Sequence, residues 1–201
     1  MWDKKIIVIS DRTLVQDDFL IQVEKLAKAG IDAFVLREKD LSEYEYYDLA
    51  KEVLNICARY KTICFLHYYE KQALKLGHKY FQAPIALLRK EPNLSKYFHI
   101  LGTSIHSKEE LLEAINYKAN HAFVGHIFNT SCKTNLGPRG IEFLKNVLQF
   151  SRIPLYAIGG INAENIASFK GINVAGVCMR EALMCEKNPK KYLTLCKKEL
   201  V

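Results

Sequence analysis

The sequence predicts a single-domain (β/α)8 barrel, and three observations lead to this fold class. Short apolar runs alternate eight times with helical patterns along the 201 residues, as is typical of parallel strands joined by right-handed crossovers. The runs are continuously apolar, as expected for strands that are buried on both faces. Eight such units at this length correspond to a TIM barrel of minimal size. We therefore expect residues 1–201 to form one domain.

The eight strands are predicted from runs rich in aliphatic and aromatic residues. They are placed at Lys5–Ser10, Ala33–Leu36, Thr62–Leu66, Tyr80–Pro84, Phe98–Gly102, Ala122–Gly125, Pro154–Ile158 and Val174–Met179. An open doubly wound sheet would show the same alternation, but it would need a glycine-rich turn after its first strand. Residues 10–13 read Ser-Asp-Arg-Thr, which favours the barrel.

The helices are predicted from apolar spacing and from cap residues at their ends. Ser42 with Glu45, and Ser107 with Glu110, have the spacing of capping boxes. The segment 85–96 is too short for a long helix and is interrupted by a proline, so we expect an abbreviated fourth crossover. The other helices are predicted at Phe19–Ala29 before a capping Gly30, at Tyr69–Leu76, at Ile141–Phe150, from Asn162 onwards, and at Pro189–Leu200.

Composition and charge restrict the classes of partner. The formal net charge is +7 with a pI of about 9.0, which suggests anionic ligands, but the lysines are scattered singly along helical faces. We interpret most of them as solvated surface and do not expect a nucleic acid partner. No apolar run approaches the roughly 20 residues that a membrane span needs, so no membrane partner is expected. The composition leaves open whether the chain forms a homo-oligomer.

Cysteine usage favours a reducing compartment. The six cysteines form no C-x-x-C pair and have no histidine at zinc-ligand spacing, and no hydrophobic leader precedes the first strand. We therefore expect a cytoplasmic protein without a metal site of this type.

Polar residues follow nearly every predicted strand, and barrels carry their functional residues where the strands end. Cations outnumber acids among them, which suits an anionic substrate. In strand order they are Asp11 and Arg12, Arg37 to Asp40, His67 and Tyr68, Gln82, Ser104 and His106, residues 126–133, Gly159 and Gly160, and Arg180 and Glu181.

Two glycines after the seventh strand suggest a phosphate site. Gly159 and Gly160 would let backbone N–H groups approach phosphate oxygens, and a following helix would add its positive end. The alternative is a tight turn that needs positive φ. The position after strand seven favours phosphate, because many barrels bind it there.

His126 is the candidate for proton transfer, because imidazole titrates near neutral pH and can both accept and return a proton. The alternative is a structural histidine at a strand end. Cys132 beside Lys133 has the setting of a reactive thiol, but no dedicated base accompanies it in sequence. A small polar group lining the pocket is the favoured interpretation of Cys132.

Four motifs together resemble the superfamily of thiamine phosphate synthases and the related thiazole tautomerases of the TenI group. The resemblance covers nearly the whole chain and implies the same barrel fold. The motifs are Ile-Ser-Asp-Arg at 9–12, Val-Leu-Arg-Glu-Lys-Asp-Leu-Ser-Glu at 35–43, Gly-Thr-Ser-Ile-His-Ser at 102–107 and Ala-Ile-Gly-Gly-Ile-Asn-Ala-Glu-Asn at 157–165.

Other positions favour the tautomerase branch. Synthases bind a pyrimidine diphosphate with Mg²⁺ and carry Asn-Asp-Arg after strand three and an acid in Gly-Gln-x-Asp after strand four. Here the corresponding residues are His67-Tyr68-Tyr69, and residues 84–87 contain no acid. The loop at 125–133, with His after Gly and Cys before Lys, and Gln82-Ala83-Pro84 resemble the tautomerase versions.

The resemblance then implies aromatisation of the tautomer of 2-carboxy-4-methylthiazole ethyl phosphate, an isomerase reaction that needs no metal or cofactor. His126 would move a proton from ring carbon 2 to the exocyclic carbon. Arg37 and Lys39 match the diphosphate-contacting residues of synthases, and here they would be either remnants or the contacts of the substrate carboxylate. Lys133 is also expected among the substrate-binding residues. The expected phosphate site comprises Gly159, Gly160, Arg180 and Glu181, and the expected ring-lining residues are Ser104, Thr130, Ser131 and Cys132.

Two alternatives remain open at this level. The first is a thiamine phosphate synthase, which would require Mg²⁺, and the second is a non-catalytic regulatory barrel. Glu181 departs from the serine that is usual in the family, and a carboxylate beside a bound phosphate would repel it. The phosphate site is therefore expected at the Gly159-Gly160 turn with an open question at Glu181.

Overall fold

The computed structural model describes residues 4–130 and 136–200, in which eight parallel strands close into a barrel in sequence order. Strand β1 pairs with β8 from Lys5↔Gly176 to Val8↔Met179, which closes the sheet. The predicted fold class is confirmed. The strands are β1 Lys5–Ile9, β2 Ala33–Leu36, β3 Ile63–His67, β4 Tyr80–Pro84, β5 Ile100–Ile105, β6 His121–Gly125, β7 Leu155–Ile158 and β8 Gly176–Met179.

Helices follow most of the strands, and their lengths vary widely. The fourth crossover is abbreviated as predicted, because a helix of 6 residues is followed only by the 3-10 turn Leu94–Lys96. The helices are α1 Phe19–Ala29, α2 Glu43–Arg59, α3 Glu70–Lys75, α4 Ile85–Lys90, α5 Lys108–Asn116, α6 Gly140–Leu148, α7 Glu181–Met184 and α8 Pro189–Leu200. In the described ranges, none of these helices has both the length and the apolar character needed to span a bilayer.

The predicted caps explain where two helices begin. Ser42 and Glu45 form the complete capping box at the start of α2. At α5 the prediction is half wrong: Ser107 accepts from the backbone N–H of Glu110 over 3.2 Å, but the Glu110 carboxylate accepts from the N–H of His106 at 2.6 Å instead. Glu110 thereby ties the end of β5 to the helix.

The predicted fifth strand ended too early. Strand β5 runs to Ile105 rather than stopping at Gly102. Gly102 lies inside the strand, where a Cβ atom would fall 2.0 Å from Oε1 of Gln82 and 2.1 Å from Nε2 of His121. The absence of a side chain at Gly102 makes room for these two neighbours. The prediction had interpreted Gly102 as the end of the strand instead.

The helix predicted from Asn162 is wrong. Only the 3-10 turn Ile166–Phe169 forms after β7. The Asn162 side chain accepts from the backbone N–H of Glu164 and of Asn165, and the Asn165 amide donates to Gly160 O at 2.8 Å. Such local side-chain bonds compete with helix formation. No α-helix therefore adds its positive end directly behind the Gly159-Gly160 turn.

The core consists of a large layer between strands and helices and a smaller cluster inside the barrel. Side chains alternate between these two layers along each strand, as a closed barrel requires. The inner cluster contains Ile7, Ile9, Ala33, Val35, Phe65, Phe123 and Cys178.

Tyr46 of α2 joins the helix layer to the ends of two strands. Its fully buried hydroxyl donates to Leu36 O of β2 and accepts from the N–H of His67 of β3, both at 2.9 Å. Burial raises the pKa of Tyr46 far above its usual range. The hydroxyl thus satisfies two backbone groups directly beneath the loops that follow these strands.

Candidate active site

A cavity of about 780 Å³ lies at the carboxyl ends of the strands. Every predicted site residue that the structure describes lines this cavity, namely Arg37, Lys39, Ser104, His126, Thr130, Gly159, Gly160, Arg180 and Glu181. The predicted Ser131, Cys132 and Lys133 lie outside the described residues. The carboxyl ends of the strands therefore bring distant parts of the sequence together, as expected for a barrel of this kind.

The part of the wall that follows β2 is positively charged. Arg37 and Lys39 both line the cavity, and neither forms an ion pair within residues 4–130 and 136–200. The ammonium group of Lys39 lies 5.2 Å from the ring centre of Tyr68. Burial, and then the positive charge of Arg37, lower the pKa of Lys39. These groups create a site that attracts anions.

The acids of the same loop are engaged elsewhere. Glu38 is buried, and its carboxylate accepts from Ser10 Oγ at 2.5 Å and from the N–H of Arg12 at 3.2 Å. Burial raises the pKa of Glu38, while these hydrogen bonds oppose the shift. Asp40 pairs with the Arg12 guanidinium at 2.6 Å, which lowers the pKa of Asp40. Both acids fasten the β1 and β2 loops together.

Arg180 joins the first and last loops of the barrel. Its guanidinium lies 2.8 Å from the Asp11 carboxylate, so the loop after β1 is tied to the start of α7. This ion pair offsets part of the Arg180 charge. The next residue, Glu181, brings a carboxylate to the same cavity wall.

The two glycines after β7 allow a very close contact between loops. Their φ angles are +105° at Gly159 and +65° at Gly160. A Cβ atom on Gly159 would lie 2.3 Å from the Cβ of His126, and one on Gly160 would lie 2.1 Å from Asn129 O. The tight-turn interpretation is therefore correct for both residues, and phosphate binding at this turn remains a proposal.

His126 is held firmly at the cavity wall. The residue is 6% exposed, and its Nε2–H donates to Leu136 O at 3.1 Å. Its own carbonyl accepts from the N–H of Arg139 at 3.0 Å, and the peptide bond before it is cis. The bond to Leu136 O holds the ring beside the glycine turn. His106 also lines the cavity and donates from Nδ1 to Gly125 O at 2.7 Å.

Residues not assigned to the predicted site form a polar floor across three strands. Gln82, Gly102 and His121 are paired in turn across β4, β5 and β6. His121 Nε2–H donates to Gln82 Oε1 at 3.0 Å across Gly102, and burial lowers the pKa of His121 to about 4. Gln82 and its β3 neighbour His67 line the cavity. Gln82 Nε2 and His67 Nδ1 are buried and have no hydrogen-bond partner among the described residues.

The sequence pattern at the strand ends had already indicated His67 and Gln82 as residues of the cavity. No sequence pattern indicated Tyr192. Tyr192 belongs to α8 and reaches the cavity wall. Its hydroxyl accepts from the N–H of Ala163 at 2.8 Å. Only the packing of the last helix against the β7 loop places it there.

Comparisons with known proteins identify the relationship. The profile of the family described as "Thiamine monophosphate synthase" matches residues 6–183. The thiamine-phosphate synthase of Fusobacterium nucleatum is 30% identical over 94% of this chain and 93% of that protein. The thiamine-phosphate synthase of Clostridium acetobutylicum is 31% identical over 90% of this chain and 88% of that protein. The structure of thiamine phosphate pyrophosphorylase from Pyrococcus furiosus superposes with a TM-score of 0.83, at 25% identity, over 98% of this chain and 96% of that one.

These relatives overturn the prediction of a thiazole tautomerase and of isomerase activity. Proteins named as synthases match over most of both chains, which agrees with the synthase alternative and with an enzyme rather than a non-catalytic barrel. The prediction gave too much weight to the loop at 125–133, a short segment whose last residues lie outside the described ranges. By the match to the family profile over residues 6–183, the chain belongs to the thiamine monophosphate synthase family.

Proposed function

We propose that the protein joins a pyrimidine diphosphate to a thiazole phosphate and releases pyrophosphate, as a thiamine-phosphate synthase. The observation that carries the proposal is the similarity to proteins of this name over about nine tenths of the chain. The positively charged wall of the cavity supports it independently, because both substrates are small phosphorylated molecules. The proposed enzyme is accordingly a transferase of thiamine biosynthesis.

The size of the cavity agrees with two substrates. A volume of about 780 Å³ lies in the upper half of the range of roughly 300–1,000 Å³ that is usual for small-molecule sites. Two small heterocycles held side by side react as an effectively intramolecular pair, which removes much of the entropic barrier. The cavity thus has room for a joining reaction between two small molecules.

We assign the diphosphate to the wall after β2. As the bond between the pyrimidine methylene carbon and the diphosphate breaks, negative charge builds up on the leaving group while the bond to the thiazole forms. Arg37 and Lys39 line the cavity without ion pairs in the described ranges, so their charge is directed to the leaving diphosphate. Fixed charges of this kind stabilise a developing anion in a site that excludes water.

We assign the thiazole phosphate to the opposite set of loops. The turn of Gly159 and Gly160 and the backbone at Arg180 and Glu181 would hold its phosphate, and Ser104 and Thr130 would lie along the ring. His126, whose ring is fixed by Leu136 O, is proposed as a positioning contact at this wall. The proton shuttle that the tautomerase prediction gave to His126 is not part of this proposal.

The family resemblance implies Mg²⁺, but the residues at the ends of β3 and β4 do not fit that ion. Mg²⁺ is held in proteins by carboxylate oxygens together with water and substrate phosphates. In residues 4–130 and 136–200, no group of three His, Cys, Asp or Glu side chains is arranged to hold a metal. The wall at the ends of β3 and β4 presents His67, Gln82 and Pro84. Mg²⁺ therefore enters no step of the proposed reaction.

The direct test is an activity assay with both substrates. The purified protein is incubated with pyrimidine diphosphate and thiazole phosphate, in parallel with Mg²⁺ and with EDTA, and both products are quantified by chromatography. We expect thiamine phosphate and pyrophosphate in equal amounts in at least one condition. Absence of product in both conditions, from protein that gives a cooperative thermal transition, would refute the proposed function.

A further inference from the structure

The wall formed by the ends of β2 and β3 has a surplus of positive charge that is not paired with any carboxylate of the described residues. Arg37 and Lys39 line it without ion pairs in the described ranges. The nearby acids Glu38 and Asp40 are held by Ser10 and Arg12 instead. The β3 end adds His67, a ring whose pKa is lowered by burial and then by the charges of Lys39 and Arg37. Both carboxylates of the β2 end are thus already engaged, and neither lines the cavity.

We propose that this wall binds a diphosphate group directly, through Arg37 and Lys39, without a divalent cation. The identity of the ligand as a diphosphate rests on the proposed function. The absence of a metal requirement rests on the side chains of the wall. It departs from the Mg²⁺ that the resemblance to the synthases implies.

The reason is the balance of charge at the wall. A diphosphate next to carboxylates would be repelled, and a divalent cation between them removes the repulsion. Where the wall has cations and no carboxylate, the diphosphate meets its counter-charges directly. A guanidinium can bind two phosphate oxygens at once, and an ammonium adds a point charge. The carboxylates that do line the cavity, Glu164 and Glu181, belong to the segments after β7 and β8.

The first test measures the binding of inorganic pyrophosphate to the full chain by titration calorimetry and by thermal shift. We expect binding in EDTA at least as tight as in excess Mg²⁺, with a rise in melting temperature in EDTA. Binding that requires Mg²⁺, or no binding in either condition, would overturn the proposal.

A matched pair of variants tests the role of the wall. Lys39→Gln should weaken pyrophosphate binding in EDTA by about 10-fold or more, because one charge-assisted contact is typically worth that much. Lys75→Gln is the control, since Lys75 also lies over a tyrosine ring, at 4.8 Å from that of Tyr47, but does not line the cavity. Equal affinities of the two variants would count against a diphosphate site at Lys39.

A second pair introduces the missing carboxylates. Tyr68 has φ +74°, a conformation that Asp and Asn tolerate better than Tyr. Pro84 is the N-cap of α4 and makes no capping hydrogen bond, and Asp and Asn are preferred there. Tyr68→Asp/Pro84→Asp and the neutral control Tyr68→Asn/Pro84→Asn should therefore both fold, which circular dichroism checks.

The two double variants should differ only in their dependence on metal. The Asp variant should lose pyrophosphate binding in EDTA and regain it in Mg²⁺, whereas the Asn variant should bind in EDTA like the wild type. Strong binding by the Asp variant in EDTA would show that wall charge does not decide the metal requirement.

Failure of this inference can be told apart from failure of the proposed function. Pyrophosphate binding in EDTA without any synthase turnover would leave the anion site standing and remove the proposed reaction. Synthase turnover and pyrophosphate binding that both require Mg²⁺ would leave the reaction standing and remove the metal-free site.

Discussion

The α-carbon of Gly160 faces the carbonyl oxygen of Asn129 so closely that an added Cβ atom would lie 2.1 Å from that oxygen. The loops after β6 and β7 are therefore in direct backbone contact. Backbone hydrogen bonds from Ile127 to Ile158 and from Phe128 to Gly159 continue this contact. The segment that carries His126 and Thr130 depends on the glycine turn for its position.

Gly160→Ala should displace the loop after β6 and impair substrate binding. Gly77→Ala is the matched control, because Gly77 has φ +66° against +65° for Gly160 but nothing within 4 Å of an added Cβ. Both variants should lose about 1 kcal/mol from backbone strain, and Gly160→Ala a further 1–3 kcal/mol or so from overpacking. Urea unfolding measures the difference, and the KM for thiazole phosphate should rise about 10-fold or more in Gly160→Ala alone. Equal behaviour of the two variants would contradict the packing role.

Gly102→Ala should disrupt the polar floor beneath the cavity. The new methyl group would collide with Gln82 Oε1 and His121 Nε2 and separate a buried hydrogen-bonded pair, at a cost of about 1–3 kcal/mol in unfolding free energy. Gly137→Ala, where a Cβ atom meets nothing within 4 Å, should change stability by less than about 0.5 kcal/mol. Chemical denaturation measures the unfolding free energy of both variants. A Gly102→Ala protein as stable as the wild type would show that the floor can rearrange.

Acid should destabilise the protein through His121. Burial lowers its pKa to about 4, whereas in the unfolded chain it titrates near its ordinary value of about 6.5. Between these values the unfolded state binds the extra proton, so the unfolding free energy falls as the pH falls from about 6.5 to about 4, by about 3 kcal/mol, and this contribution stays constant below that.

His121→Gln should flatten this pH dependence. Gln keeps a donor for Gln82 Oε1 but does not titrate, and the other buried histidines contribute equally in both proteins. Unfolding free energies at about pH 7 and about pH 4.5 provide the comparison. Parallel curves for variant and wild type would show that His121 does not titrate in this range.

Tyr46→Phe should be costly although it removes a single oxygen atom. Leu36 O and His67 N–H would lose their shared partner inside the core, and unsatisfied buried groups cost about 1–3 kcal/mol. In Tyr60→Phe, the control, the lost bond joins Glu24 at the surface, and the loss should stay below about 1 kcal/mol. Similar melting temperatures for the two variants would mean that the backbone groups of Leu36 and His67 find other hydrogen-bond partners when the hydroxyl is removed.

The fold was predictable wherever the signal was local. The bounds of α1, β4 and α8 agree with the predicted ones, because apolar runs and end signals lie within those segments. The errors arose where polar side-chain contacts, near or far along the chain, decide the local structure. Gly102 continues β5 because His121 and Gln82 fill the space beside it, and Asn162 starts a single turn because Asn165 bonds to Gly160.

The site was predictable in place but not in function. Strand ends meet in any barrel, so Arg37, Ser104 and Arg180 line one cavity although they are far apart in the sequence. Tyr192 was missed because only helix packing brings it there. The prediction of a tautomerase was wrong because it relied in part on the missing acids after β3 and β4, which determine only the charge of one wall. The similarity to the synthases extends over most of the chain.

Arg37 and Lys39, which form no ion pair in residues 4–130 and 136–200, should also act before any substrate makes contact. A positive mouth draws anions toward it over distances of about a Debye length, roughly 8–10 Å in ordinary buffers. Encounter with phosphorylated molecules should therefore be fast in dilute buffer and slow down as salt is added, while escape of a bound molecule changes far less. The barrel would capture its substrates by long-range attraction and select among them only after they have arrived.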